Sequence, residues 1–265
     1  MMVLMNKEQE QMWKKKCLLK ICSTVPSPVR TGSAGQALEE GTPDRAGRDK
    51  RDEAVGSIKN YMEILLKYFT DFSATQLQQM AALKDLYAEW NEKINVISRK
   101  DMDNFYEHHV LHSLAIATQF KLKEGMQVLD LGCGGGFPGI PLAIFFPEVQ
   151  FHLADSINKK LKVAGAVAEA IGLTNVTTQH TRAEEIKDRK FDVVVSRAVA
   201  PLKDLWWWSK PLLKKDHSPR GLICLKGGDL AKEISESRCK PRIWEIDKIF
   251  SEPFFKEKFL LQVAV

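Results

Sequence analysis

Apolar residues recur at helical spacing from Ile58 onward, and from Gln127 the pattern changes to short apolar runs alternating with amphipathic segments. Ile64, Leu65, Tyr68 and Phe69 mark one helical face, broken at Asp71-Phe72-Ser73. Leu77, Met80, Leu83, Leu86, Tyr87 and Trp90 mark a second. A third helix is predicted from Met102 to Phe120, carrying Phe105, Val110, Leu111, Leu114 and Ile116, with Lys123-Glu124-Gly125 closing the region. Strands are predicted at Gln127 to Leu131, Gln150 to Ala154, Val176 to Gln179, Phe191 to Ser196, Gly221 to Lys226, Ile243 to Ile249 and Phe259 to Val265. Helices are predicted through Phe146, from Ile157 to Ile171 and from Leu202 to Leu213. This alternation implies a mostly parallel sheet covered on both faces. Such a doubly wound α/β fold binds its ligand at the carboxyl ends of the strands.

Residues 1–57 have a different texture. Ser23 to Gly56 is rich in Ser, Pro, Gly and charge and nearly free of large apolar residues after Val29. A segment of that kind cannot bury enough surface to offset its ordering entropy, so it is expected to be a disordered extension or leader, with Met62 as an alternative start. The expected organisation is therefore 1–57 as an extension, 58–124 as a helical region and 125–265 as the α/β domain. The chain's 265 residues suffice for a core without disulfides or structural metal.

Charge and cysteines narrow the class. The net charge of +5 is unevenly spread: residues 1–61 hold 11 Lys and Arg against 8 Asp and Glu, leaving 28 against 26 for the rest. Bulk charge therefore does not argue for nucleic acid, although a local basic patch remains possible. Five cysteines, at 17, 22, 133, 224 and 239, form no C-x-x-C pair and suit a reducing cytoplasm. No apolar run is long enough to span a membrane. No heptad repeat is present, and a monomer is expected.

The strongest motif is the run from Val128 to Gly136, in which Asp130 closes a strand and Gly132, Gly134, Gly135 and Gly136 lead into a helix. Glycines there let backbone approach a ligand closely. The spacing departs from the dinucleotide fingerprint, because Phe137 stands where the third glycine belongs. Asp130 would repel a pyrophosphate but attract a ligand carrying an ammonium and a sulfonium. Asp155, at the end of the second strand, can accept both hydroxyls of a ribose, or it is a solvated turn aspartate. Ala183 and Glu184, after the third strand, are placed beside an adenine ring. Arg197, at the end of the fourth strand, can hold a phosphate, an RNA backbone or a cofactor carboxylate, or pair with a local acid such as Asp204.

Other clusters carry less. His108, His109 and His112 contain an i, i+4 pair with no third ligand nearby in sequence, so no metal is expected, and His109 is a candidate RNA contact. Lys226, ending the fifth strand at the same rim, is a candidate for phosphate. Trp206, Trp207 and Trp208 on one helix point three ways, so at most one or two can face a ligand, and core packing is favoured over base stacking. No Ser-His-Asp or Cys-His nucleophile arrangement stands out.

The run from Asp130 to Ala143 resembles the RsmG family, also called glucose-inhibited division protein B. Asp155-Ser156, Thr181 to Glu185, Ser196-Arg197-Ala198, Leu225 to Gly227, Trp90 to Ser98 and His109 with Ser113 extend the resemblance, which covers Ile58 to Val265. It implies a class I, Rossmann-like methyltransferase with a seven-stranded, mostly parallel sheet and an N-terminal helical region. It implies S-adenosyl-L-methionine as cofactor and N7 of one guanine in bacterial 16S ribosomal RNA, or in the small subunit, as target. The family's cofactor contacts carry over to Gly132, Phe137, Ala183, Glu184 and Arg197; Gly134 and Asp155 join them from the reading above. His112 departs from the aspartate common at its position. Guanine N7 has a free lone pair and no proton, so no catalytic base is expected, with Arg197 in an orienting role. A small-molecule methyltransferase and a non-catalytic RNA-binding assembly factor are the alternatives.

Overall fold

A computed structural model describes residues 62–197, 199–215 and 221–265. The expectations for 1–57, and for Ala198 in the Ser-Arg-Ala motif, lie outside the described residues. Contacts divide the chain into two compact units, the first ending at Ala81 and the second running from Ala82 to Val265. The helical stretch from 82 to 124 therefore shares a unit with the sheet.

In the first unit a short helix at 62–66 buries Met62, Leu65 and Leu66. Helix α1, Ala74–Lys93, starts there with a reciprocal cap: the Gln76 amide donates to Ser73 Oγ at 3.2 Å and the Ser73 amide to Gln76 Oε1 at 2.8 Å. Ser and Gln three apart thus satisfy two backbone donors that a helix start leaves without partners.

The second unit is built on a seven-stranded sheet: β1 (Gln127–Leu131), β2 (Gln150–Asp155), β3 (Val176–His180), β4 (Val193–Arg197), β5 (Gly221–Gly227), β6 (Arg242–Glu245) and β7 (Lys258–Val263). Its order is β3-β2-β1-β4-β5-β7-β6. The first five strands are parallel neighbours, and β7 lies antiparallel between β5 and β6. The Rossmann-like, mostly parallel sheet expected from the sequence is thus present. Side chains of β1, β4 and β5 are buried along nearly their whole length, as strands covered on both faces must be. Helices α4 (Gly139–Phe145), α5 (Asn158–Ala170), α6 (Leu202–Ser209) and α7 (Ala231–Ser237) provide connections between strands.

Order reverses between β1 and β4, which run outward from the centre to opposite edges, and a crevice opens at the carboxyl ends of such a pair. Ser196 ties the two ends together, its hydroxyl donating to the Leu131 carbonyl at 2.8 Å.

Four boundaries differ from the sequence pattern, each for a local reason. The helix expected from Met102 to Phe120 is three pieces: α2 (Arg99–Asp103), a π-helical turn at Tyr106–Leu111 and α3 (His112–Gln119). Apolar spacing cannot distinguish a π turn, which keeps the same residues inward while rotating those after it. The helix expected to Leu213 stops at Ser209, and Pro211 sits in a 3-10 turn, Lys210–Leu212. Phe191 makes only a bridge to Leu213, so β4 starts at Val193. The strand expected over Ile243 to Ile249 ends at Glu245, where its pairing with Phe259 of β7 ends, and Ile246–Lys248 turns as 3-10 with Ile246 buried.

Candidate active site

The cleft at the carboxyl ends of β1, β2 and β4 is built first by the glycine turn. Gly132 and Cys133 donate their amides to the Ala154 carbonyl at 2.8 and 3.2 Å, folding the chain back over β2. The Gly134 amide donates to Asp155 Oδ2 at 2.7 Å, and the Ile157 amide to Asp155 Oδ1, also at 2.7 Å. Asp155 is therefore the brace between the glycine turn and the start of α5, with lone pairs left on both oxygens.

Asp130 has a different position from the one the sequence suggested. It is fully buried, does not line the cleft, and accepts the Gly139 amide through Oδ2 at 2.7 Å. Its Oδ1 has no hydrogen-bond partner among the described residues. Burial pushes its carboxyl up to about 7, against the opposing pull of the Gly139 amide and the Arg197 cation.

Behind the glycine turn stands an aromatic wall. Tyr87, fully buried on α1, donates its hydroxyl to the Gly135 carbonyl at 2.6 Å. Its ring lies 4.8 Å from that of Phe137, which also meets Phe105 and His109 at 5.9 and 5.2 Å. The peptide from Phe137 to Pro138 is cis. Burial raises the Tyr87 phenol well above its ordinary range, so it stays a donor to Gly135.

Arg197 enters this wall from β4. Its guanidinium sits 5.0 Å over the Phe137 ring, and Nη2 donates to His109 Nδ1 at 3.0 Å. Nη1 reaches the His108 carbonyl at 3.4 Å. The carboxylate partner weighed from sequence, Asp204, is not among these contacts. Burial lowers the guanidinium to about 10, with Asp130 pulling the other way. His109, which sequence suggested as an RNA contact, is instead packed against Phe105 and Phe137. Burial and the Arg197 charge pull its imidazole down to about 3, so it is neutral and accepts from Arg197. The π turn supplies both His109 and the His108 carbonyl, and this is what the interruption of the expected helix accomplishes.

Other predicted or flagged residues lie elsewhere. Lys226 is buried, and its ammonium donates to Glu233 at 2.6 Å and to the Ala200 carbonyl. Glu233 also accepts the Leu202 amide at 2.6 Å, so Lys226 knits β5 to α6 and α7. His112 is buried with its edge toward Phe254 and Phe255, and burial keeps it neutral. No group of three His, Cys, Asp or Glu that could hold a metal occurs among the described residues.

The resulting cleft has a volume of about 530 Å³ and brings together all seven of Gly132, Gly134, Phe137, Asp155, Ala183, Glu184 and Arg197. Sequence reading missed Val96 and Lys160 in its lining, and Trp208, weighed there between core packing and base stacking, also lines it. Val96 had a signal: Asn91 Oδ1 accepts the Val96 and Ile97 amides at 2.9 and 3.1 Å, so the Trp-Asn motif is the turn that delivers Val96. A side chain at Gly135 would come within 3.1 Å of Val96 Cβ.

The fit to an adenosyl cofactor can be judged on the cradle itself. Gly134 has φ +55° with open space where a side chain would stand, so the backbone is exposed to a ligand. Gly132 has φ +69°, and a side chain there would lie 2.7 Å from Val199. The volume is within the 300–1,000 Å³ usual for small-ligand sites. Exposed amides and carbonyls, a carboxylate at the ribose position and apolar walls are the donor set an adenosyl group needs, and the residues fit it.

The model of the rRNA small subunit methyltransferase G family, GidB, matches residues 76–258. The chain belongs to that family. It is 57% identical over 207 residues to ribosomal RNA small subunit methyltransferase G of Phocaeicola vulgatus, covering 77% of this chain and 99% of the relative. It is 54% identical over 200 residues to the protein of that name from Porphyromonas gingivalis, covering 74% and 90%. Among solved structures, a SAM dependent methyltransferase from Aquifex aeolicus is 16% identical with a TM-score of 0.47, covering 64% of this chain and all of the other. As a small subunit methyltransferase G family member, the chain is a methyltransferase with the class I fold expected from its sequence. No described helix is long and apolar enough to cross a membrane.

Proposed function

We propose that this chain transfers a methyl group from S-adenosyl-L-methionine to N7 of one guanine in 16S ribosomal RNA. The observation that carries the reading is the gathering of all seven predicted cofactor residues around one cleft at the β1/β4 reversal. When bound, S-adenosyl-L-methionine supplies an electrophilic methyl on a sulfonium.

The chain's own residues have four tasks. The Gly132 to Gly135 backbone and Asp155 hold the cofactor's polar parts, and Ala183 and Glu184 flank its base. Arg197 is held against Phe137 by His109 and the His108 carbonyl, which fixes its direction before substrate arrives. The wall of Tyr87, Phe105 and Phe137 keeps water from that end. A guanine N7 needs only alignment with the methyl, a proximity effect. Beside Arg197, burial keeps His109 neutral and the Tyr87 phenol protonated, so both act through hydrogen bonds and packing. In this reading the enzyme works in the cytoplasm, where its RNA substrate is, and acts as a monomer.

The test is incubation of 16S RNA and small subunits with the protein and labelled cofactor, then mass spectrometry of fragments. Transfer to one guanine, with strand scission by borohydride and aniline, is the expected result; methyl on any other atom refutes the N7 assignment. Arg197→Met is expected to lower kcat/KM by about 10²-fold, the loss typical when reacting groups are misplaced by about an ångström. Activity within twofold of the wild type would mean that Arg197 has no orienting role.

A further inference from the structure

A second groove, of about 1060 Å³, adjoins the cofactor cleft and shares Glu184 and Trp208 with it. Its other walls include Trp206, Trp207, Lys203 and Lys210. The three tryptophans divide as their helical positions require. Trp206 and Trp208 pack partly against the core around Leu202 and Leu205, whereas Trp207 is 67% exposed.

Trp207 does not stand alone on its face of α6. Lys203 precedes it by four residues on α6, and Lys210 follows it by three just past the helix end, where the backbone is still right-handed helical, so all three lie on one stripe. Both lysines are exposed, and neither ammonium is paired with a carboxylate among the described residues. Lys210 lies 6.0 Å over the Trp206 ring. The carboxylates of the groove have other settings: Asp204 is in the first turn of α6, where the helix end favours negative charge, and Glu184 also lines the cofactor cleft.

A large exposed indole costs solvation unless something covers it, and this one is bracketed by two cations. Protein interfaces are depleted in lysine, whereas flat rings between ammonium groups match unpaired bases on an anionic backbone. We infer that the Lys203–Trp207–Lys210 stripe is a shelf for single-stranded RNA, on which an unpaired base near the methylated guanine stacks while its flanking phosphates meet the lysines. The inference rests on an RNA substrate and extends it by naming where the strand runs. The sequence reading favours core packing but leaves one or two of the three tryptophans able to face a ligand; Trp206 and Trp208 are partly packed, and Trp207 is the exposed one.

The experiment uses the full chain and a labelled single-stranded oligoribonucleotide of about ten nucleotides, within the length range of such sites. Binding is followed by anisotropy, and S-adenosyl-L-methionine binding by calorimetry serves as the folding control. Trp207→Ala is expected to weaken oligoribonucleotide binding about tenfold with cofactor affinity unchanged, and Trp207→Phe to restore most of it. Lys203→Ala with Lys210→Ala is expected to reduce the slope of log affinity against log salt by about 1.4, or 0.7 per phosphate on a single strand. Unchanged oligoribonucleotide affinity in Trp207→Ala overturns the shelf. Weakened binding to whole subunits with unchanged binding to the oligoribonucleotide overturns it too, in favour of a protein face. Wild-type protein that binds the oligoribonucleotide but methylates no ribosomal RNA refutes the proposed activity and leaves the shelf standing.

Discussion

Gly136→Ala is expected to cost about 2–6 kcal/mol of stability, a large part of what holds a domain of this size together. Two effects add. Gly136 has φ +107°, beyond even the small left-handed region open to other residues, and strain there is about 1–3 kcal/mol. An added Cβ would also sit 2.6 Å from Ile140 Cγ1, 3.1 Å from the Tyr87 hydroxyl and 3.2 Å from Ala164, all in packed surroundings. Overfilling such a site costs about 1–3 kcal/mol more. The neighbouring Gly134→Ala is the comparison, since its φ of +55° is tolerable and nothing lies within 4 Å. It should cost about 1 kcal/mol and weaken cofactor binding instead. Urea denaturation of both variants decides the matter; equal midpoints would show that Gly136 is a turn residue with no packing role.

The second large effect is carried by Asp130. Its carboxyl holds its proton to about 7 in the folded protein, because burial outweighs the Gly139 amide and the Arg197 cation, whereas the unfolded chain releases it near 3.8. The folded state therefore binds the extra proton between these values, and stability attributable to Asp130 is full below about pH 4 and lost as pH rises to about 7. The span corresponds to about 4 kcal/mol at 1.36 kcal/mol per unit. Asp130→Asn keeps an oxygen for the Gly139 amide and removes the buried charge. Its stability relative to the wild type should thus climb from pH 4 to pH 7 and level off above. Urea titrations at pH 4, 5.5 and 8 without cofactor read this directly, and a difference independent of pH would mean that folding leaves the proton affinity of Asp130 unchanged.

Much of the architecture was legible in the chain because parallel strands buried on both faces must be apolar along their whole length. Leu129, Leu131, Val193 to Val195 and Leu222 to Leu225 show this plainly. The glycine turn was legible for a similar reason. Positive φ at Gly132 and Gly136, each with a neighbour where a side chain would stand, leaves almost no other residue type, so the requirement is written in the sequence itself. Asp155, Ala183 and Glu184 followed from topology, since the ends of β2 and β3 must lie beside the β1 turn.

The partners of individual side chains were decided only by the tertiary structure. Arg197 and His109 are 88 residues apart, and nothing local says that one will hold the other. Lys226 reads as a rim lysine until Glu233 and the Ala200 carbonyl surround it. Asp130 reads as a ligand carboxylate until Gly139 closes on it. Periodicity and steric demand are properties of one stretch of chain, so the sequence by itself determined the elements, their order and the place of the cleft. Hydrogen bonds, burial and the resulting proton affinities depend on which distant groups are brought within 3 Å, and only the folded chain decides that.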